Sequence, residues 1–140
     1  MTSSYSITQP TALTLSETHT NVLCFGGNNA AINLTVIGGT TPYNFTWSNG
    51  ATSEDITNLT VGNYTVTVND ANACSALISS TITEPTALIV SATSTSVSCF
   101  GGNNGAINVT TSGGTTGYVF NWSNGVTTED LNAIVAGNYT

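Results

Sequence analysis

Six residues, Cys24-Phe25-Gly26-Gly27-Asn28-Asn29, return as Cys99-Phe100-Gly101-Gly102-Asn103-Asn104, and the residues around them return in step without a gap. No other feature constrains the fold as much. Residues 4–65 overlie residues 79–140 with more than half of the positions identical, so the chain is built from one module of about 75 residues used in tandem. A module that short has to close its core from a few short elements.

Proline marks the repeat boundary. Ile7-Thr8-Gln9-Pro10-Thr11-Ala12-Leu13 matches Ile82-Thr83-Glu84-Pro85-Thr86-Ala87-Leu88, and a proline, which cannot donate to a ladder, ends one strand before the next begins. Leu13 and Leu15 share one strand face, whereas Val22 and Cys24 have the opposite parity, so a bulge or a change of sheet is expected between them. Ile32, Leu34 and Val36 alternate with Asn33 and Thr35 as a half-buried strand. Tyr43, Phe45 and Trp47 alternate with Asn44, Thr46 and Ser48, and Tyr118, Phe120 and Trp122 keep the pattern.

Asn49-Gly50 and Asn124-Gly125 then read as tight hairpin turns, followed by a short edge strand over residues 52–59. Tyr64, Val66 and Val68 form another inward face, repeated at its start by Tyr139. Residues 69–73 turn the chain, and residues 75–83 run as a last strand. No helical period occurs anywhere. The fold class expected is all-β: tandem small antiparallel β-sandwiches, Ig-like or PKD-like, with six or seven strands per module.

Residues 1–10 match the final strand of a module, residues 11–85 make one complete module, and residues 86–140 make a second that lacks counterparts of residues 66–83. The segment is therefore expected to be a window from a longer array. Exchange of the first strand into a neighbour's gap is the less favoured alternative, because it supplies one missing strand and leaves the other unfilled.

The charge pattern excludes whole classes of partner. The chain has no Lys or Arg, seven carboxylates and a net charge of −7, so it cannot neutralise the phosphates of nucleic acid or of an anionic membrane. Hydrophobic content of 39% against 5% charged residues argues for a packed core rather than a disordered acidic tail. No apolar run approaches the ~18 residues of a membrane span, so no insertion is expected. An export signal, if the chain is secreted, is expected outside this segment.

Candidate chemistry is sparse. Cys24 and Cys74 flank two turns, and a disulfide between them is predicted; in the chain-entropy model such a loop contributes about 4 kcal/mol. No CxxC or Cys/His cluster suggests a metal, and no cofactor is expected. His19 is the only histidine and its counterpart is Ser94, so a repeated catalytic base is missing and no enzyme is expected. Glu54-Asp55 recurs as Glu129-Asp130 and reads as a solvated edge, since calcium requires six to eight oxygens. Tyr43, Phe45, Trp47, Tyr64, Tyr118, Phe120, Trp122 and Tyr139 are assigned to the core. The alternative function is a carbohydrate-binding sandwich, with the polar loops Gly26, Gly27, Asn28, Asn29 and Gly101, Gly102, Asn103, Asn104 as its binding residues.

The units Cys99-Phe100-Gly101-Gly102-Asn103-Asn104-Gly105, Gly38-Gly39-Thr40-Thr41-Pro42-Tyr43, Trp47-Ser48-Asn49-Gly50-Ala51-Thr52 and the run from Gly62 through Tyr64 and Asp70 to Cys74 together resemble the SprB-type repeat of very large surface adhesins in gliding Bacteroidetes. The resemblance covers nearly the whole chain. It departs in turns only, with Ala30 and Ala73 where the family usually has Gly, and Gly117 in place of Pro42 in the second copy. The resemblance implies an extracellular filament on the bacterial surface, exported by type IX secretion and, in gliding species, carried by the motility machinery. Its implied partners are neighbouring repeats of the same long chain and a polysaccharide or solid surface.

Overall fold

The computed structural model describes residues 4–140, which divide into two compact units at the Glu84/Pro85 bond. Unit 1 has six strands: β1 (Thr14–Thr20), β2 (Ala30–Ile37), β3 (Asn44–Trp47), β4 (Ile56–Leu59), β5 (Gly62–Asn69) and β6 (Ser75–Ile82). Two antiparallel sheets, ordered β1-β2-β4 and β3-β5-β6, form a sandwich. This is the strand arrangement of a constant-type immunoglobulin domain without its fourth strand.

Alternation explains what each sheet buries. Ala30, Ile32 and Leu34 of β2 meet Trp47, Val66, Val68 and Ile82 of the opposite sheet, with Val22, Ile56 and Leu59 completing the core. Tyr43, Phe45 and Tyr64 pack around its rim. The Tyr64 hydroxyl donates to the Thr60 carbonyl at 3.1 Å, the back-bond of a tyrosine corner, and Tyr139 repeats it on Val135 at 3.0 Å.

The parity break after β1 is a change of sheet. Leu13, Leu15 and Glu17 face inward along β1, but beyond Thr20 the chain crosses to β6. There the Val22 N–H donates to the Thr83 carbonyl at 3.0 Å, and the Asn21 Oδ1 accepts from the Thr83 N–H at 2.8 Å. Val22 is thereby brought into the core, 3% exposed.

Two local readings change. The strand expected over residues 52–59 is only Ile56–Leu59, because β4 joins β2 and residues 53–55 bend toward it. Asn49-Gly50 does not join two paired strands: β3 pairs with β5 and β4 with β2. It forms instead a local turn closed by Gly50 N–H to Trp47 O at 2.9 Å, in which Gly50 alone takes positive φ. Gly38 is fixed by space as well as by φ, since a Cβ there would fall on the carbonyl of Ala12; Gly113 repeats this against Ala87.

Unit 2 has β7 (Ile89–Thr95), β8 (Gly105–Ser112) and β9 (Leu131–Ile134), in one sheet ordered β7-β8-β9. Its registers repeat those of β1-β2-β4 residue for residue, including the shift beside Gly105. The aromatic row Tyr118, Phe120 and Trp122 forms no strand. In unit 1 the equivalent row pairs with residues 66–69, whose counterparts are not among residues 85–140.

Residues 4–13, which include most of the strand expected over residues 1–10, form no strand. Residues 1–3 of that segment lie outside the described residues. No helix occurs among the described residues.

Candidate functional site

The two Gly-Gly-Asn-Asn loops are compact turns that use their own polar groups. In unit 1 the Gly27 N–H donates to Cys24 O at 2.9 Å, and the Asn29 Oδ1 accepts from the Leu23 N–H at 3.1 Å. The Gly26 N–H, at positive φ, donates to the Glu84 carboxylate at 2.6 Å. In unit 2 the Gly102 N–H donates to Cys99 O, and the Asn104 side chain both accepts from the Ser98 N–H and donates to the Ser98 hydroxyl. Asn28, Asn103 and Gly101 stay exposed, beside Phe25 at 62% and Phe100 at full exposure. The loops thus present an aromatic tip more than a row of polar groups.

Cys24 and Cys74 are free, exposed thiols, as is Cys99, so the predicted disulfide is not formed. The strand order explains why. Cys24 follows the Val22 to Thr83 crossing, at the pole where β6 ends. Cys74 precedes β6, at the pole where Asp70 and Thr40 meet. An eight-residue strand spans about 26 Å, whereas a disulfide requires Cα atoms within about 7 Å.

Asp70 is the residue that organises the Cys74 pole. It is 3% exposed and accepts from the Thr40 N–H at 2.9 Å, the Asn72 N–H at 2.9 Å and the Cys74 N–H at 2.8 Å. One carboxylate therefore ties the loop after β2 to the β5–β6 turn. Burial pushes its carboxyl pKa up, but the backbone donors of Cys74, Thr40 and Asn72 outweigh that and hold it below the ordinary aspartate value. The Asp70-Ala71-Asn72 sequence signals an Asx turn, but its reach to Thr40 depends on strand order.

Asp55, read as half of a solvated edge, has a structural task. Its Oδ1 accepts from the Leu34 N–H at 2.9 Å, just beyond the last β2–β4 pair, and Asp130 repeats this on the Val109 N–H at 2.8 Å. The carboxylate stands in for the carbonyl that a longer β4 would supply.

Glu17, His19 and Ser80 come together across the two sheets. His19 Nδ1 lies 3.1 and 3.2 Å from the Glu17 oxygens and 3.2 Å from Ser80 Oγ. A proton relay needs the carboxylate on one ring nitrogen and the hydroxyl on the other. Here both sit on Nδ1, so the group bridges β1 to β6 and cannot activate the serine. Among the described residues no group of three His, Cys, Asp or Glu side chains could hold a metal.

Trp47 is 3% exposed and its indole N–H donates to Ser53 O at 2.8 Å. Its face is not open to a sugar ring. Trp122 repeats the bond on Thr128 at 2.9 Å and is half-buried. Tyr118, Phe120 and Tyr139 are half-buried as well.

Against this geometry, the family model described as SprB repeat matches residues 16–52 and 91–127, just over half of the chain. Each match runs from within the first strand of its unit, through the tryptophan, to the residue before the carbonyl that accepts from its indole. No curated protein and no solved structure matches.

Proposed function

The chain belongs to the SprB repeat family, and from that premise we propose that it is a structural repeat of a cell-surface adhesin, part of an extracellular stalk. Its work is to hold a distal part of the molecule away from the cell. Export by type IX secretion, carriage during gliding, and contact with a polysaccharide or solid surface belong to the same proposal, as do neighbouring repeats in the same polypeptide. The proposed module, residues 11–85, ends one residue beyond the break between the units.

The observation that carries the reading is the placement of the two ends of residues 11–84. Thr11 is held by Gly39 at one pole, its carbonyl accepting at 2.8 Å, and Glu84 is held by Gly26 at the other. Between them lies the eight-residue length of β6, about 26 Å, so every complete module adds length. The buried Trp47 and the self-bonded loops support a structural part over a sugar-binding one.

Antibodies raised against unit 1 test the proposal on intact cells of the source. Labelling of unpermeabilised cells, lost after brief treatment with a nonspecific protease, is expected. Labelling that requires permeabilisation would sink the surface reading.

A further inference from the structure

Three Asn-Gly pairs occur in the chain, at residues 49–50, 104–105 and 124–125, and the fold holds them differently. Asparagine before glycine is the pair in which the next main-chain nitrogen most easily reaches the side-chain carbonyl, because no Cβ stands in its path. Asn49 and Gly50 are exposed, as are Asn124 and Gly125. A Cβ on Gly50 or Gly125 would meet nothing within 4 Å. Solvent therefore reaches both groups of each pair.

The two side chains are also folded for attack. The Asn49 Oδ1 accepts from the Ala51 N–H at 3.1 Å, and the Asn124 Oδ1 from the Val126 N–H at 3.2 Å. Each amide thus arches over the glycine that follows it, and the N–H one residue further on faces the oxygen that turns negative when the carbonyl is attacked. One hydrogen bond on the nucleophile has to open first: the Gly50 N–H donates to Trp47 O at 2.9 Å, and the Gly125 N–H to Trp122 O at 2.8 Å. Asn104 is held in another way. Its Oδ1 accepts from the Ser98 N–H at 3.0 Å and its Nδ2 donates to the Ser98 hydroxyl at 2.9 Å, so the amide is turned back along its loop. Gly105 is buried and paired with Ile134, and a Cβ there would lie 2.9 Å from the Ile134 carbonyl.

We infer that Asn49 and Asn124 are sites of spontaneous covalent modification and that Asn104 is shielded from it. The Gly50 nitrogen, its proton taken by hydroxide, bonds to Asn49 Cγ. The Cγ–Nδ2 bond then breaks, ammonia leaves with a proton taken from water, and a five-membered cyclic imide remains. Water opens the imide at either carbonyl, giving aspartate or isoaspartate. Asn124 and Gly125 react in the same way. Each conversion adds one negative charge to a chain of net charge −7.

The two products act differently on the turn. Aspartate keeps an oxygen for the Ala51 N–H. Isoaspartate places one more carbon in the main chain between Trp47 O and the Gly50 N–H, inside a turn that Trp47 N–H to Ala51 O closes at 3.0 Å. Both bonds then no longer close together, and the turn leads directly to Ser53, whose carbonyl holds the Trp47 indole. The chemistry rests on the turns alone and does not depend on a surface role.

Incubation of the whole chain at mildly alkaline pH, followed by mass mapping of chymotryptic peptides, tests it. The peptides holding Asn49 and Asn124 are expected to gain the mass of an NH2 replaced by OH at similar rates. They are expected to outpace the Asn104 peptide by roughly tenfold or more, the factor for one further hydrogen bond that has to open. In guanidinium chloride all three are expected to convert at comparable rates. Asn49→Asp, which keeps an acceptor for the Ala51 N–H, is expected to remove one of the two mass steps and leave the Asn124 step unchanged. A folded chain whose Asn49 and Asn124 stay intact while the unfolded chain converts, or whose Asn104 keeps pace with them, overturns the inference.

Discussion

β1-β2-β4 and β7-β8-β9 have the same registers, the same shift at Ala30 or Gly105 and the same aspartate bond to mid-strand, yet they bury very different amounts. Ile32 is 1% exposed while Ile107 is only half-buried, and every residue of β7 is exposed. The ladder is written locally, in alternation, turns and caps. Burial comes with the second sheet, which residues 4–84 form and residues 85–140 alone do not. The tryptophans show the same division: both make the indole bond to the loop ahead, but only Trp47 has β5 and β6 to press against.

Four measurements press on that difference. The largest effect is expected from the tryptophans themselves. Trp47→Ala is expected to cost unit 1 about 3–5 kcal/mol, the usual loss for emptying a core aromatic site. Trp122→Ala is expected to cost unit 2 only about 1 kcal/mol. Denaturant unfolding followed by far-ultraviolet circular dichroism, with the remaining indole marking the transition of the unmutated unit, separates the two, and equal losses would contradict the division.

Acid acts next, in unit 1 through Asp70, whose counterpart is not among residues 85–140. Its pKa is lowered in the folded state, so the stability it contributes is fully present above the ordinary aspartate value, near pH 4. That stability is lost as pH falls through the depressed folded value. Melts followed from pH 6 downward are expected to show unit 1 weakening below about pH 4, with Asp70→Asn flattening that slope. An Asp70→Asn variant with an unchanged acid profile would remove Asp70 from the account.

Asp55→Ala and Asp130→Ala are expected to cost about 1–2 kcal/mol each and to cost the two units alike, since both carboxylates cap a local strand. Unequal losses would mean that the cap depends on the second sheet. His19→Ser, which gives unit 1 the residue of unit 2, is expected to cost about 0.5 kcal/mol or less. A much larger loss in a thermal melt would make the Glu17, His19 and Ser80 bridge a main tie between β1 and β6.

What could be read in the sequence follows the same line between local and non-local. The repeat, the alternation at Tyr43, Phe45 and Trp47, and the break in parity before Val22 are local patterns, and each corresponds to an observed element or crossing. The pairing of Cys24 with Cys74 failed because it required knowing which turn lies at which pole, and only strand order decides that. The Asn49-Gly50 hairpin failed for the same reason, since β3 and β4 belong to different sheets. Asp55 looks like surface charge in the sequence, and Asp70 like one member of a local turn. Their partners, Leu34 and Thr40, lie 21 and 30 residues away and are found only through the ladders.

The crossing at Asn21 and Val22 has a mechanical consequence. β1 and β6 both run from the Asp70 pole to the Gly26 pole, so where the chain clasps Thr83 and Glu84 the two segments are parallel neighbours. Tension applied between Leu13 and Glu84 draws β1 one way and the end of β6 the other. The bonds between them are then loaded in shear, all at once, and have to break together rather than one after another like a zip.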